Sequence, residues 1–224
     1  MKHIVSFSGG KDSTAMLLMM IEKGMQIDEI VFCDTGLEFD GMIEYIEKIE
    51  KYINKTITII KADKDWDYWF YHIKQKGKNK DKIYGFPYTI GAWCNDRLKM
   101  KPINKYFNQQ GEHIRYIGIA YDEPKRYQRL KSNENSPLYE WKITEQQALD
   151  YLKEKDLLNP LYNKFKRLGC WCCPKQSLDS LRTLKKEYPE LWLKLLEYDK
   201  DSPISFKPNY TVKQLDDKFN KEEC

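Results

Sequence analysis

The thirteen residues Lys2–Thr14 constrain this chain more than any other stretch. Ile4, Val5 and Phe7 make a short β-branched and aromatic run. It stops at Ser8-Gly9-Gly10-Lys11-Asp12-Ser13, and an apolar run from Ala15 to Ile21 follows at once. This order predicts a strand, a glycine turn and a helix N-terminus. Two glycines let backbone N–H groups turn inward without Cβ clashes. The first helical turn adds unpaired N–H groups and a partial positive charge, and Lys11 adds a full one. Such a turn can cradle phosphate. It is not a Walker A loop, which needs Gly, four residues, then Gly-Lys-Ser/Thr.

The same alternation continues. Glu29–Cys33 reads as a second strand, and Thr56–Ile60 as a third. Between them Phe39, Ile43, Ile46, Ile49 and Ile53 recur at helical spacing. Trp66–Lys76 is expected to be helical, residues 77–90 a Lys- and Gly-rich loop, Asp96–Gln109 a helix despite Pro102, and Ile114–Ile119 a fourth strand. Strands alternating with helices imply an α/β fold with a parallel sheet and right-handed crossovers. The second half changes character. Thr144–Lys155 reads as a helix capped by Thr144, Asn159–Lys166 as loop, and Ser177–Glu187 and Pro189–Tyr198 as further helices. The expected division is residues 1–135, a nucleotide-binding α/β domain, and residues 136–224, a helical appendage carrying the cysteines.

With 224 residues, 41% of them hydrophobic, the chain can build one α/β domain with an appendage. Its net charge of +4 permits an anionic ligand without demanding one. No apolar run reaches the length of about 18 residues that a membrane span needs. The strand at the N-terminus leaves no room for a leader peptide, so a cytoplasmic location is expected. There, six cysteines read better as metal ligands, reactive thiols or buried residues than as disulfides.

In open parallel sheets ligands sit beyond the carboxyl ends of the strands. Strand one brings the glycine turn there, with Ser6 just before it. Strand two brings Asp34-Thr35-Gly36, and strand four Gly118. Asp12, Asp122 and Glu123 are candidate Mg²⁺ contacts, since triphosphate chemistry uses that ion.

Ser8-Gly9-Gly10-Lys11-Asp12-Ser13 matches the PP-loop of the N-type ATP pyrophosphatases. Further matches follow in order: Asp34-Thr35-Gly36, Trp93-Cys94-Asn95 with Arg97-Leu98-Lys99, Gly118 with Asp122-Glu123 and Arg126, Pro137-Leu138 with Trp141, then Gly169-Cys170 and Cys173-Pro174. To about residue 180 the chain resembles the phosphoadenosine phosphosulfate (PAPS) reductase family in its broad sense. The resemblance implies an adenine-nucleotide alpha-hydrolase-like (HUP-type) sheet and cleavage of ATP between its α and β phosphates. It implies ATP contacts at Ser6, Ser8, Gly9, Gly10, Lys11, Asp12, Ser13, Asp34, Thr35, Gly36 and Gly118, with Lys11, Asp12, Arg97 and Arg126 catalytic.

Cys170 and Cys173 form a C-x-x-C step, which alone could be half a zinc site or a redox pair. The resemblance implies that Cys94 joins them. Three thiolates suit a [4Fe–4S] cluster with one open iron, or Zn²⁺ with Cys172 or Cys224 as fourth ligand. A reduced cysteine-rich turn packing a lid is the plain alternative. The relatives implied here thiolate tRNA bases or DNA, so nucleic acid and a sulfur-donor protein are expected partners beside ATP or a sulfonucleotide. Lys74–Lys80 with Lys82 could track a nucleic-acid backbone, with Trp66, Trp69 and Tyr71 as stacking groups. Helical spacing of these aromatics equally suits a core.

The leading expectation is an ATP-dependent adenylating enzyme coupled to sulfur transfer. A PAPS or adenylylsulfate reductase fits less well, because the PP-loop is intact and Glu223-Cys224 lacks the Gly-x-His that follows the reductive cysteine in those enzymes. A non-catalytic nucleotide-binding module with a structural metal is the third reading.

Overall fold

The β-branched runs become strands of one sheet. A computed structural model describes residues 1–77 and 79–222, leaving Lys78, Glu223 and Cys224 outside the described residues. The strands are β1 (Lys2–Phe7), β2 (Glu29–Asp34), β3 (Thr58–Lys61), β4 (His113–Ile117) and β5 (Glu134–Asn135), in the order β3-β2-β1-β4-β5. β1 pairs in parallel with β2 (Ile4 opposite Glu29) and β4 (Ile4 opposite Arg115), and β4 pairs in parallel with β5. The helices are α1 (Lys11–Glu22), α2 (Asp40–Ile53), α3 (Trp66–Phe70), a π-helical stretch (Asn95–Met100) running into α4 (Lys101–Asn108), α5 (Pro124–Tyr127), α6 (Pro137–Glu140), α7 (Glu145–Glu154), a 3₁₀ turn (Pro160–Asn163), α8 (Leu178–Glu187), α9 (Pro189–Asp201) and α10 (Val212–Glu222). No helix among the described residues is long and apolar enough to cross a membrane.

The chain forms two compact units. The first comprises residues 1–34, 39–60 and 102–163, and the second residues 35–38, 61–101 and 164–224. In the first unit Ile4 and Val5 are fully buried and most of α1 is buried, as a strand and helix in the middle of a covered parallel sheet must be. α2 buries only Met42, Tyr45, Ile46 and Ile49, the amphipathic stripe its spacing predicts. β5 was not expected, since Glu134-Asn135 is polar. Arg115 of β4 holds it: its guanidinium pairs with Glu134 at 3.1 Å, both side chains being largely buried.

In the second unit the helix expected over Trp66–Lys76 stops at Phe70. Asp65 caps α3 through Tyr68 N–H, but the aromatic and β-branched residues that follow are poor helix formers. Ile73 instead bridges Ile83 in antiparallel fashion. The helix through Pro102 is present, with a π start. Pro102 has no N–H to offer Leu98, and Lys101 N–H bonds the carbonyl of Asp96, five residues back. α10 was also missed. Thr211 and Gln214 form a reciprocal cap at its start, at 2.9 and 3.1 Å. The expected Thr144 cap on α7 is present as a full capping box.

Candidate functional site

The phosphate-type cradle of the first unit is built at the exit of β1. Gly9 sits at φ +69°, where a side chain is strained, and a Cβ there would strike the Met42 thioether. Gly10 is the N-cap of α1 and offers no capping side chain. Ser13 turns back instead. Its hydroxyl donates to Gly10 O at 3.0 Å, accepts from Ser8 N–H at 3.1 Å and lies 2.9 Å from Ser8 Oγ. Thr14 donates to the same carbonyl at 3.0 Å. Two residues that sequence reasoning did not single out hold the loop from outside. Buried Asn159 donates to Gly9 O at 3.1 Å, and Lys11 N–H donates to the Tyr162 hydroxyl at 3.0 Å. The tyrosine oxygen thus stands at a helix N-terminal amide, where a phosphate oxygen could be received.

Lys11 Nζ lies 2.6 Å from Glu145 Oε2 and 3.2 Å from Asp12 Oδ2. Burial works against the ammonium, but the Glu145 hydrogen bond and the Asp12 charge outweigh it, and its pKa is raised. Asp12 is also raised, chiefly by burial. Lys11 offsets part of this, while Glu145 and Glu123 add to it. One lysine therefore faces two carboxylates, of which Glu145 was not anticipated. Its only sequence mark is its place as first residue of a capped helix.

Gly118, just past β4, touches this loop from behind. A Cβ there would stand 2.7 Å from Ser13 N, 2.8 Å from Ser13 Cα and 2.9 Å from Asp12 C. Its small size lets β4 approach the first turn of α1. Buried Ser136 pins the neighbouring strand exit, accepting from Ile119 N–H at 3.1 Å and donating to Ile119 O at 2.7 Å. Several expected residues have protein partners. Ser6 Oγ accepts from Arg115 Nε at 2.7 Å. Asp122 accepts from Glu145 N–H at 3.1 Å, at the start of α7. Half-exposed Arg126 pairs with Glu123 at 2.6 Å. Asp34 is buried at the end of β2.

The second unit carries the cysteines. Cys94 is the N-cap of the π-helical stretch, and Asn95 N–H donates to Ala92 O at 3.1 Å at its start. Cys170–Cys173 is a tight turn, with Cys173 N–H donating to Cys170 O at 3.2 Å. Gln176 donates to the carbonyls of Cys170 (3.2 Å) and Trp171 (2.6 Å), and Lys207 to those of Pro174 (2.8 Å) and Gln176 (2.6 Å). Trp171 N–H donates to Leu37 O at 3.0 Å, and Thr35 Oγ1 lies 3.7 Å from Cys170 Sγ. Thr35 is itself held by Glu38, at 2.8 Å. Gly36 permits the turn between them at φ +74°.

Cys94, Cys170, Cys172 and Cys173 disfavour one another's ionisation. Burial, then the Cys173 charge, pushes Cys94 up to about 11. Burial, then Glu38, pushes Cys170 to about 12. Cys172 is fully enclosed, and burial holds it well above the ordinary thiol range. Crowded thiols of this kind become thiolates once a cation shares them, so the donor chemistry fits an iron–sulfur cluster or zinc. Among the described residues no three His, Cys, Asp or Glu side chains stand in ligand-ready geometry. Cys224 lies outside the described residues. Arg97, also in this unit, packs its guanidinium 4.4 Å over the Trp69 ring and lies 3.5 Å from Asp96.

Residues 2–176 match the phosphoadenosine phosphosulfate reductase domain. An uncharacterized protein of Methanocaldococcus jannaschii is 30% identical over 205 residues, which cover 85% of this chain and 40% of that protein. A second from the same organism is 29% identical over 213 residues, 88% of this chain and 48% of its own length. An uncharacterized nin region protein of Escherichia phage lambda is 32% identical over 146 residues, 56% of this chain and 50% of its own. The chain thus spans half or less of the length of these curated relatives. Among solved structures, PAPS reductase from Candida auris in a phosphate complex superposes with a TM-score of 0.55 at 17% identity, covering 76% of this chain and 82% of that one. The U34-tRNA thiolase NcsA from Methanococcus maripaludis, with its [4Fe–4S] cluster, gives 0.50 at 19% identity, covering 89% and 71%. At these identities the likeness is one of fold, an α/β sheet flanked by helices. With the family match extending from β1 through the cysteine turn, the chain belongs to the PAPS reductase domain family.

Proposed function

We propose that the chain is an ATP pyrophosphatase that adenylates an acceptor and takes part in sulfur transfer to it. The observation that carries this reading is the cradle at the exit of β1: an uncapped α1 N-terminus, a glycine at positive φ and Lys11 among carboxylates. The α1 amides and Lys11 would bind the β and γ phosphates, displacing the Tyr162 hydroxyl and Glu145 that engage them here. With Lys11 turned to phosphate, Asp12 and Glu145 would be left to offer carboxylate oxygens of the kind that suit Mg²⁺. An oxygen of the acceptor attacks the α phosphorus. The new P–O bond forms as the α–β bridge breaks, and the electrons leave on pyrophosphate, whose charge Lys11 and the helix terminus neutralise. A sulfur nucleophile then displaces AMP. An iron–sulfur cluster, or zinc, held by Cys94, Cys170 and Cys173 would supply metal-bound sulfur for that step.

Pyrophosphate release from ATP tests the reading, with bulk small RNA offered as acceptor. Lys11→Ala should lower turnover by at least about tenfold, a modest share of what one charge-stabilising group contributes. Unchanged turnover would remove Lys11 and its loop from the reaction.

A further inference from the structure

The charge of the chain is unevenly placed. Residues 61–101 hold ten Lys and Arg against five Asp, a net +5, whereas the whole chain nets +4. All the excess positive charge therefore lies in this segment of the second unit. Within it, lysines occupy every second position from 74 to 82; Lys78 is outside the described residues.

The fold compresses this run. Ile73 bridges Ile83, Lys74 N–H donates to Lys82 O at 2.9 Å, and Asp81 N–H donates to Lys74 O at 2.9 Å. Lys74, Lys76, Lys80 and Lys82 thus crowd around one tight hairpin. Lys76, Lys80 and Lys82 are exposed, and none pairs with a carboxylate among the described residues. Lys74 titrates low, through burial and the neighbouring Lys82 charge. A free hairpin that repels itself in this way is relieved by a polyanion.

Beside it runs a connected row of rings and cations. Lys74 Nζ stands 5.3 Å over the Tyr84 ring, and Tyr84 meets Trp69 edge-on at 6.5 Å. Arg97 covers Trp69 at 4.4 Å, Trp69 meets Tyr68 at 5.2 Å, and Lys64 lies 4.8 Å over Tyr68. Tyr68 is 44% exposed, and Tyr88 in the same segment 53%. Trp66 is different: it is buried against Trp93 and belongs to the core.

We propose that residues 61–101 form a binding surface for single-stranded nucleic acid. Phosphates lie along the lysine hairpin, and unpaired bases stack on Tyr68 and its neighbours. Cations alternating with rings, of which Tyr68 is exposed and Trp69 and Tyr84 are half-buried, suit a single strand, because a duplex hides its base faces. The proposal deepens the adenylation reading by giving the acceptor's class, and it rests on that reading only for what happens to the strand once bound.

The test is fluorescence anisotropy of the full chain, without ATP, on labelled oligo(dT), oligo(U) and a matched duplex of about 20 nucleotides, longer than a typical single-strand site. Salt should weaken single-strand binding. The Lys76→Glu, Lys80→Glu, Lys82→Glu triple variant should bind at least about tenfold more weakly. Its slope of log affinity on log salt should be shallower by about 2, three contacts at about 0.7 each. Tyr68→Ala should cost about fivefold or more for single strands, and melting curves confirm that both variants fold. The dT and U arms separate DNA from RNA. Absence of single-strand binding, equal affinity for the duplex, or variants that bind like the parent would overturn the proposal. Strand binding without any ATP turnover would refute only the adenylation reading.

Discussion

Gly118→Ala puts the geometry of the PP-loop to a quantitative test. Gly118 does not require positive φ, so an alanine meets no backbone strain of its own. The cost comes from contact with Ser13 N, Ser13 Cα and Asp12 C at 2.7–2.9 Å, all main-chain atoms of the first turn of α1. No side chain can rotate away. Ordinary contact begins at 3.4 Å, so the α1 terminus must retreat by roughly 0.5–0.7 Å. Overpacking of this kind costs about 1–3 kcal/mol. For a chain of this size that is a melting point lower by about 2–12 °C. A misplacement of about 1 Å can cost 10²-fold in rate, so the smaller retreat should lower pyrophosphate release by about tenfold. Circular-dichroism melting and the pyrophosphate assay read the two effects. A variant that melts within about 1 °C of the parent and turns over unchanged would refute the claim that β4 abuts the loop here.

Asp12→Asn addresses charge. Burial raises the folded pKa of Asp12 above its model-peptide value of 3.8, so the ionised form destabilises the unliganded fold once the pH exceeds that value. Asparagine should therefore raise the melting point at pH 7, and the gain should shrink as the pH falls toward 3.8. Turnover should fall by at least about tenfold. A gain that grows toward acid would reverse the sign of the argument. Anaerobically purified protein should carry iron or zinc by metal analysis and visible spectrum, and Cys170→Ser and Cys173→Ser should each lose it. Full metal content in either variant would mean that they share no site.

The parts that could be read along the chain are those fixed by neighbours in sequence. The PP-loop needs a strand, two glycines and a helix start within a dozen residues, and all of them are contiguous. Thr144 was legible for the same reason. β5 was not, because a Glu-Asn strand exists only through Arg115 on the adjoining strand. Glu145, Asn159 and Tyr162 reach the loop from 134 to 151 residues downstream, by tertiary contacts that no local pattern encodes. The α10 helix could have been found, since Thr211-x-x-Gln214 carries a capping-box pattern. Gly118 was expected to face nucleotide; the structure gives it a packing reason, its close approach to Asp12 and Ser13. The expectation that Cys94 joins Cys170 and Cys173 came only through the family resemblance, for Cys170 follows Cys94 by 76 positions.

The most direct test of the adenylation reading is the identity of the products from ATP labelled at the α phosphate, with small RNA as acceptor. The account predicts label in AMP, free or attached to the acceptor, together with pyrophosphate. Label in ADP, with release of orthophosphate, would place cleavage between the β and γ phosphates and contradict it.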